Sequence, residues 1–142
     1  MKISISLVDK RYSIDIEGIK RAIRDVLRGE RAGNNNVDIV YCRDREIISL
    51  NREFKGQNKS TDVLAFNLSE GENDEYLGEI YVNLQMARRQ AEFFGVTYSQ
   101  EVKRLTIHGV LHLLGFKDDT GASRARMWAR QESYLGNGGN GR

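Results

Sequence analysis

The chain has 142 residues, of which 39% are hydrophobic and 30% charged, enough for one buried core and too few for two full-sized domains. Its 22 basic and 20 acidic residues leave a net charge of +2, weaker than the basic bias of a chain that holds nucleic acid by charge alone. Apolar runs stay short of the ~18–20 residues of a membrane span, and a single cysteine, Cys42, excludes both an internal disulfide framework and a thiolate zinc cage.

The opening Met1-Lys2-Ile3-Ser4-Ile5-Ser6-Leu7 alternates as a strand does and lacks the apolar block of a signal peptide, so a cytoplasmic protein is expected. Lys2–Val8 is predicted as a first strand with Ile3, Ile5 and Leu7 on one face. Ile16, Ile19, Ile23, Val26 and Leu27 recur at helical spacing from about Asp15 to Arg31, and Gly33-Asn34-Asn35-Asn36 ends that helix and turns the chain. Val37–Cys42 is a second strand, after which Asp44 is placed to cap a short helix carrying Ile47, Ile48 and Leu50. A loop covers Phe54 to Thr61. Two strands follow, Asp62–Leu68 and Leu77–Asn83, joined by an acidic turn.

A helix from about Leu84 to Phe94 ends at Gly95, a residue suited to a left-handed cap. Thr97 and Gln100 have capping-box spacing for a helix over Tyr98–Leu114, which Gly115 terminates. A last helix fills about Ser123–Leu135, with Met127 and Trp128 expected in the core, and residues 136–142 are read as a flexible Gly/Asn-rich tail. The chain has no proline and 14 glycines, so its turns are built from Gly, Asn and Asp. The order β-α-β-α-β-β-α-α-α predicts one mixed α/β or α+β domain over residues 1–135, with about four strands and about five helices.

Basic residues gather in the second half, at Arg88-Arg89, Lys103-Arg104, Lys117, Arg124, Arg126 and Arg130, and read as solvated helix faces. The chemistry lies in His108-Gly109-Val110-Leu111-His112-Leu113-Leu114-Gly115-Phe116-Lys117-Asp118-Asp119, which holds both histidines of the chain. Four residues apart on a helix, His108 and His112 share a face and stand close enough to bind one metal ion. They point away from the apolar stripe of Ile107, Val110, Leu111 and Leu114. Gly115 lets the chain reverse, so that Asp118, or the adjacent Asp119, approaches the same ion from the loop. The pattern H-x-x-x-H-x-x-G-x-x-D has metzincin-like spacing, but Gly109 stands where a metalloprotease carries its general-base Glu.

This segment resembles the YbeY family of metal-dependent endoribonucleases, whose pattern is H-G-x-L-H-L-x-G-Y-D-H. Two further blocks are similar to the family: Leu50-Asn51-Arg52-Glu53-Phe54-Lys55-Gly56 with Ser60-Thr61-Asp62-Val63-Leu64-Ala65-Phe66, and Leu77-Gly78-Glu79-Ile80-Tyr81-Val82. The resemblance implies a single-strand-specific endoribonuclease acting in the 3′-end maturation of 16S ribosomal RNA and in ribosome quality control. It implies one Zn²⁺ per chain, held by His108, His112 and Asp118, with the family's third histidine replaced by Asp118. Two histidines and a carboxylate also suit Fe²⁺, Mn²⁺ or Ni²⁺. Catalysis would rest on His112 and on Lys55, which stands where the family carries an arginine and keeps its charge without the planar two-pronged grip on phosphate. Arg52 and Lys55 are the candidates for contact with the RNA backbone. Implied partners are ribosomal RNA and the small subunit, with ribosomal proteins or a ribosome-assembly GTPase, and no membrane.

Other residues leave alternatives open. Thr61 and Asp62 either fix the turn or support the histidines from behind, and Glu79 is either a general base or an ion-pair partner. Two rival functions remain: a zincin-like metalloprotease, and a ribosome-associated RNA-binding factor whose metal only staples the fold.

Overall fold

A computed structural model describes residues 1–32 and 34–136. Gly33 and most of the tail expected at 136–142 lie outside the described residues. The alternation of the opening segment forms β1 (Ile3–Leu7), and the 3.6-residue repeat that follows forms α1 (Ile16–Gly29), capped by the Asp15 carboxylate on the amide of Gly18. Then come β2 (Asn36–Cys42), α2 (Asp44–Lys55), β3 (Val63–Asn67) and β4 (Tyr76–Asn83). Three helices close the chain: α3 (Leu84–Phe94), α4 (Tyr98–Leu113) and α5 (Gly121–Tyr134).

The four strands form one mixed sheet in the order β1-β2-β4-β3. β1, β2 and β4 run parallel, and β3 pairs antiparallel with β4, Ala65 opposite Ile80 and Val63 opposite Val82. Alternation along β2 and β4 divides the side chains between two faces. One face offers Val37, Ile39, Tyr41, Ile80 and Val82 to the main core, which α1, α3, α4 and α5 complete. The other holds a smaller cluster of Cys42, Ile47 and Leu64, with Leu50, Phe66 and Tyr81 packed on it and α2 as its cover. The architecture is the expected single α+β domain.

α4 is the hub, packed on β3 and β4 and on α1, α3 and α5. Its apolar side comes within contact of the sheet because Gly109 carries no side chain: a Cβ there would lie 2.6 Å from Cγ2 of Ile80. The capping box of Thr97 and Gln100 forms as expected, at 3.0 and 3.1 Å. Gly115 then takes φ +99°, a conformation glycine adopts without steric cost, and reverses the chain after the helix.

Four expectations are corrected. Asp44 is not the cap of α2 but its first residue; Arg43 precedes it, and the Glu46 carboxylate accepts from the Arg43 amide at 3.0 Å. α2 runs on to Lys55, so Phe54 and Lys55 are helical rather than part of the loop, Phe54 packing on Phe66 at 5.4 Å between ring centroids. α5 begins at Gly121, earlier than the apolar pattern suggests, because Thr120 caps it on the amide of Ser123. Met127 is core, but Trp128 is only partly buried and stands outside the core clusters. No helix among the described residues is long and apolar enough to cross a membrane.

Candidate metal centre

The helical spacing of His108 and His112 puts their rings together, centroids 4.9 Å apart at 71°. The reversal at Gly115 returns the chain so that Asp118 Oδ2 lies 3.2 Å from His112 Nε2 and 4.0 Å from His108 Nε2. One ligand atom from each of the three residues falls within 4.8 Å of the others. Two imidazole nitrogens and a carboxylate oxygen at such separations fit a single divalent cation. Asp119 is turned elsewhere, accepting from the Ser123 hydroxyl at 3.1 Å where α5 begins. It is Asp118 that the structure brings to the histidines.

Burial pushes the His108 imidazole below its ordinary pKa, with the neighbouring His112 ring acting in the same direction, while a hydrogen bond to Gln131 and the charges of Asp62 and Asp118 oppose it. A ring held neutral is the form that binds metal. Its Nδ1 is 2.8 Å from Oε1 of Gln131, a side chain only 2% exposed, so Nε2 is the nitrogen left facing the cleft.

The three residues line a cleft of about 380 Å³. Its other wall comes from the end of α2 and the strand-bound loop after it: Asn51, Lys55, Gln57, Lys59, Thr61 and Asp62, then Val63–Ala65 of β3. This loop hangs from Asn83, whose Nδ2 donates to the Thr61 carbonyl at 3.1 Å, to the Ser60 hydroxyl at 3.0 Å and to Asp44 at 2.7 Å. Arg89 closes on Asp44 with two bonds of 3.0 Å, which lower its carboxyl to about 2 together with the Asn83 and Ser60 bonds and against desolvation. Asp62 accepts from Gln90 Nε2 at 3.2 Å.

Lys55 therefore lines the same cleft as the two histidines and Asp118. Arg52 does not line the cleft; its guanidinium donates to Asn58 Oδ1 at 2.7 Å. Glu79 lies on the far face of the sheet from α4, accepting from the Tyr81 hydroxyl at 2.9 Å, so it is no general base for this site. Thr61 and Asp62 both hold the turn and line the cleft. Lys59, Gln57 and Gln131 were not anticipated. For Gln131 the signal was in the sequence, since Ser123, Met127 and Gln131 repeat every fourth residue on the buried side of α5.

The family model for Endoribonuclease YbeY matches residues 4–139. Endoribonuclease YbeY of Chloroherpeton thalassium is 37% identical over 135 residues, covering 95% of this chain and 94% of that protein. The protein of the same name from Pelotomaculum thermopropionicum is 34% identical and covers 96% of each chain. Among solved structures, the solution structure of TM1509 from Thermotoga maritima superposes with a TM-score of 0.68 at 31% identity, covering 94% of this chain and 86% of the other.

Proposed function

The chain belongs to the YbeY family of endoribonucleases, and from that premise we propose that it cleaves single-stranded RNA by metal-assisted hydrolysis at the His108, His112 and Asp118 site. The observation that carries this reading is the placement of three ligand atoms within 4.8 Å on one wall of a cleft whose other wall presents Lys55 and Lys59. A divalent cation bound there would polarise a phosphoryl oxygen and lower the pKa of a water molecule toward ~7. Zn²⁺, one per chain, suits two imidazoles and a carboxylate, and the same set accepts Fe²⁺, Mn²⁺ or Ni²⁺.

The protein's own groups divide the remaining work. Lys55 sets a compact positive charge against the phosphate, where negative charge builds as the phosphodiester is attacked. Lys59 extends that charge along the wall. Arg52, one turn before the end of α2, can meet the strand outside the cleft. His112 would hold the cation through Nε2, the atom that stands 3.2 Å from Asp118 Oδ2. A cytoplasmic setting and action on the 3′ end of 16S ribosomal RNA, with the small subunit, ribosomal proteins or a ribosome-assembly GTPase as partners, follow from the family resemblance.

The protease alternative meets a steric obstacle. Position 109 faces Ile80 of the sheet, so even the first carbon of a general-base side chain has no room there. The test of the proposal is metal content by mass spectrometry on untagged protein, beside His112→Ala and Asp118→Ala, followed by cleavage of a single-stranded RNA. One equivalent of metal in the parent, lost in both variants, with cleavage abolished by a chelator, is expected. A well-folded parent that holds no metal under metal-replete conditions refutes the site. RNA binding without cleavage by the loaded protein would favour the ribosome-associated binding factor.

A further inference from the structure

Behind His108 runs a buried polar chain that the proposed reaction does not touch. Glu101, Arg104, Gln131 and Glu132 are 0%, 6%, 2% and 2% exposed. Arg104 of α4 donates through Nε and Nη2 to the two carboxylate oxygens of Glu132, each at 2.9 Å, and through Nη1 to Glu101 at 2.8 Å. Glu132 Oε2 also accepts from Nε2 of Gln131 at 3.1 Å, and Gln131 Oε1 meets His108 Nδ1 at 2.8 Å.

We propose that this chain sets the tautomer of His108, with Gln131 as the positioning residue that presents the His108 Nε2 lone pair to the cation site. The proposal rests on His108 being a metal ligand.

The reasoning follows donors and acceptors along the chain. An amide has one end of each kind, and nothing in its own shape decides which way it turns. Here Glu132 decides. Both of its oxygens accept from the Arg104 guanidinium, and as the carboxylate of that pair it has only acceptors to offer, so it takes the NH₂ end of Gln131. The carbonyl end is left for His108, and a carbonyl also only accepts. The proton of the neutral imidazole must then sit on Nδ1, and the lone pair must sit on Nε2, 4.0 Å from Asp118. Moving the proton would break the buried hydrogen bond to Gln131, and turning the amide to remake it would break the one to Glu132. Ligand histidines in general gain affinity from a partner on the second nitrogen, and losing that partner costs about 10–100-fold in metal affinity. What is particular here is that the partner is an amide whose orientation is dictated by a buried ion pair joining α4 to α5.

The experiment is a long-range ¹H–¹⁵N correlation spectrum of metal-free protein at about pH 8, above the ordinary imidazole pKa of ~6.5, with zinc affinity measured by competition against a chelating dye. The parent should show His108 protonated on Nδ1. Gln131→Met keeps the side-chain length and removes the acceptor. It should shift His108 toward the Nε2-protonated form and weaken zinc by about 10–100-fold, while the His112 pattern stays unchanged as an internal control.

A parent ring protonated on Nε2 overturns the proposal without any variant needing to fold. So does a Gln131→Met protein with the parent's tautomer and zinc affinity. A parent protonated on Nδ1 that takes up no zinc supports the tautomer assignment and overturns the metal reading instead.

Discussion

Gly109→Ala is a demanding test of the packing that positions the histidines. In an exposed helix the substitution stabilises by about 1 kcal/mol, because alanine loses less backbone entropy. At this position the new Cβ would sit 2.6 Å from Ile80 Cγ2 and 3.3 Å from its Cγ1 and Cδ1. Carbon–carbon contacts settle near ~3.5–4.0 Å, so about 1 Å must be found. Ile80 is fully buried and stiff at χ1, and its branch cannot swing aside cheaply. Overpacking of this kind costs about 1–3 kcal/mol or more. The expected net loss is about 1–2 kcal/mol, read as a fall in Tm of about 3–8 °C.

A double-mutant cycle isolates the contact. Ile80→Ala alone should cost about 2–5 kcal/mol, but in that background Gly109→Ala should be neutral or stabilising, a coupling of about 1–3 kcal/mol. Ile80→Val keeps both carbons on Cβ and should give no relief. If Gly109→Ala stabilises the parent, or the coupling falls below about 0.5 kcal/mol, then α4 does not owe its place on the sheet to the missing side chain.

Lys55→Ala should slow RNA cleavage by about 10–100-fold with metal content unchanged, and Lys55→Arg should keep or raise the rate; an unaffected Lys55→Ala removes Lys55 from the mechanism. Asp118→His should retain zinc through a third imidazole; loss of metal in a folded variant counts against Asp118 as a ligand. Cys42 is 1% exposed and burial pushes its thiol up to about 12, so alkylation near pH 8 should wait on unfolding, and rapid labelling of native protein would contradict its burial. The Arg89 pair, joined by the Asn83 and Ser60 hydrogen bonds and opposed by desolvation, lowers the Asp44 carboxyl from 3.8 to about 2. A folded pKa below the unfolded one means that the stabilisation is present above about pH 4 and disappears as pH falls toward the folded value. The stability gap between parent and Asp44→Asn in urea should therefore shrink from pH 6 to pH 2.5, and a gap independent of pH refutes the assignment.

Most of the element order was legible because each element carries one clean period: Ile3, Ile5 and Leu7 at two, Ile19, Ile23, Val26 and Leu27 at helical spacing. The grouping of His108, His112 and Asp118 was legible too, since two histidines four apart and a helix-ending glycine are local in sequence. Errors came where distant groups set the outcome. Asp44 has the chemistry of a cap, yet Asn83, Ser60 and Arg89, from elements far apart in sequence, tie its carboxylate to the loop before β3 and to α3. Arg104 reads as one more solvated charge beside Lys103, and no local signal says that Glu132, 28 residues on, will bury it. Charge pattern alone cannot tell a wet helix face from a buried pair.

The two walls of the cleft are thereby held by separate polar networks. The ligand wall is α4, fixed from below by the glycine contact with Ile80 and from behind by Arg104, Glu132 and Gln131. The lysine wall is the end of α2, which carries Lys55, and the loop after it, which is hung on Asn83 and the Asp44–Arg89 pair. Damage to the first should disturb the cation and leave Lys55 in place; damage to the second should loosen Lys55 and Lys59 and leave the ligands together. The ligand wall buries its supporting charges almost completely, whereas the Asp44–Arg89 pair is partly exposed, with side chains 28% and 56% accessible. Exposed pairs are weaker and more easily screened. Raised salt should therefore act first on the substrate side, through its lysines and their anchoring, before it reaches the metal side.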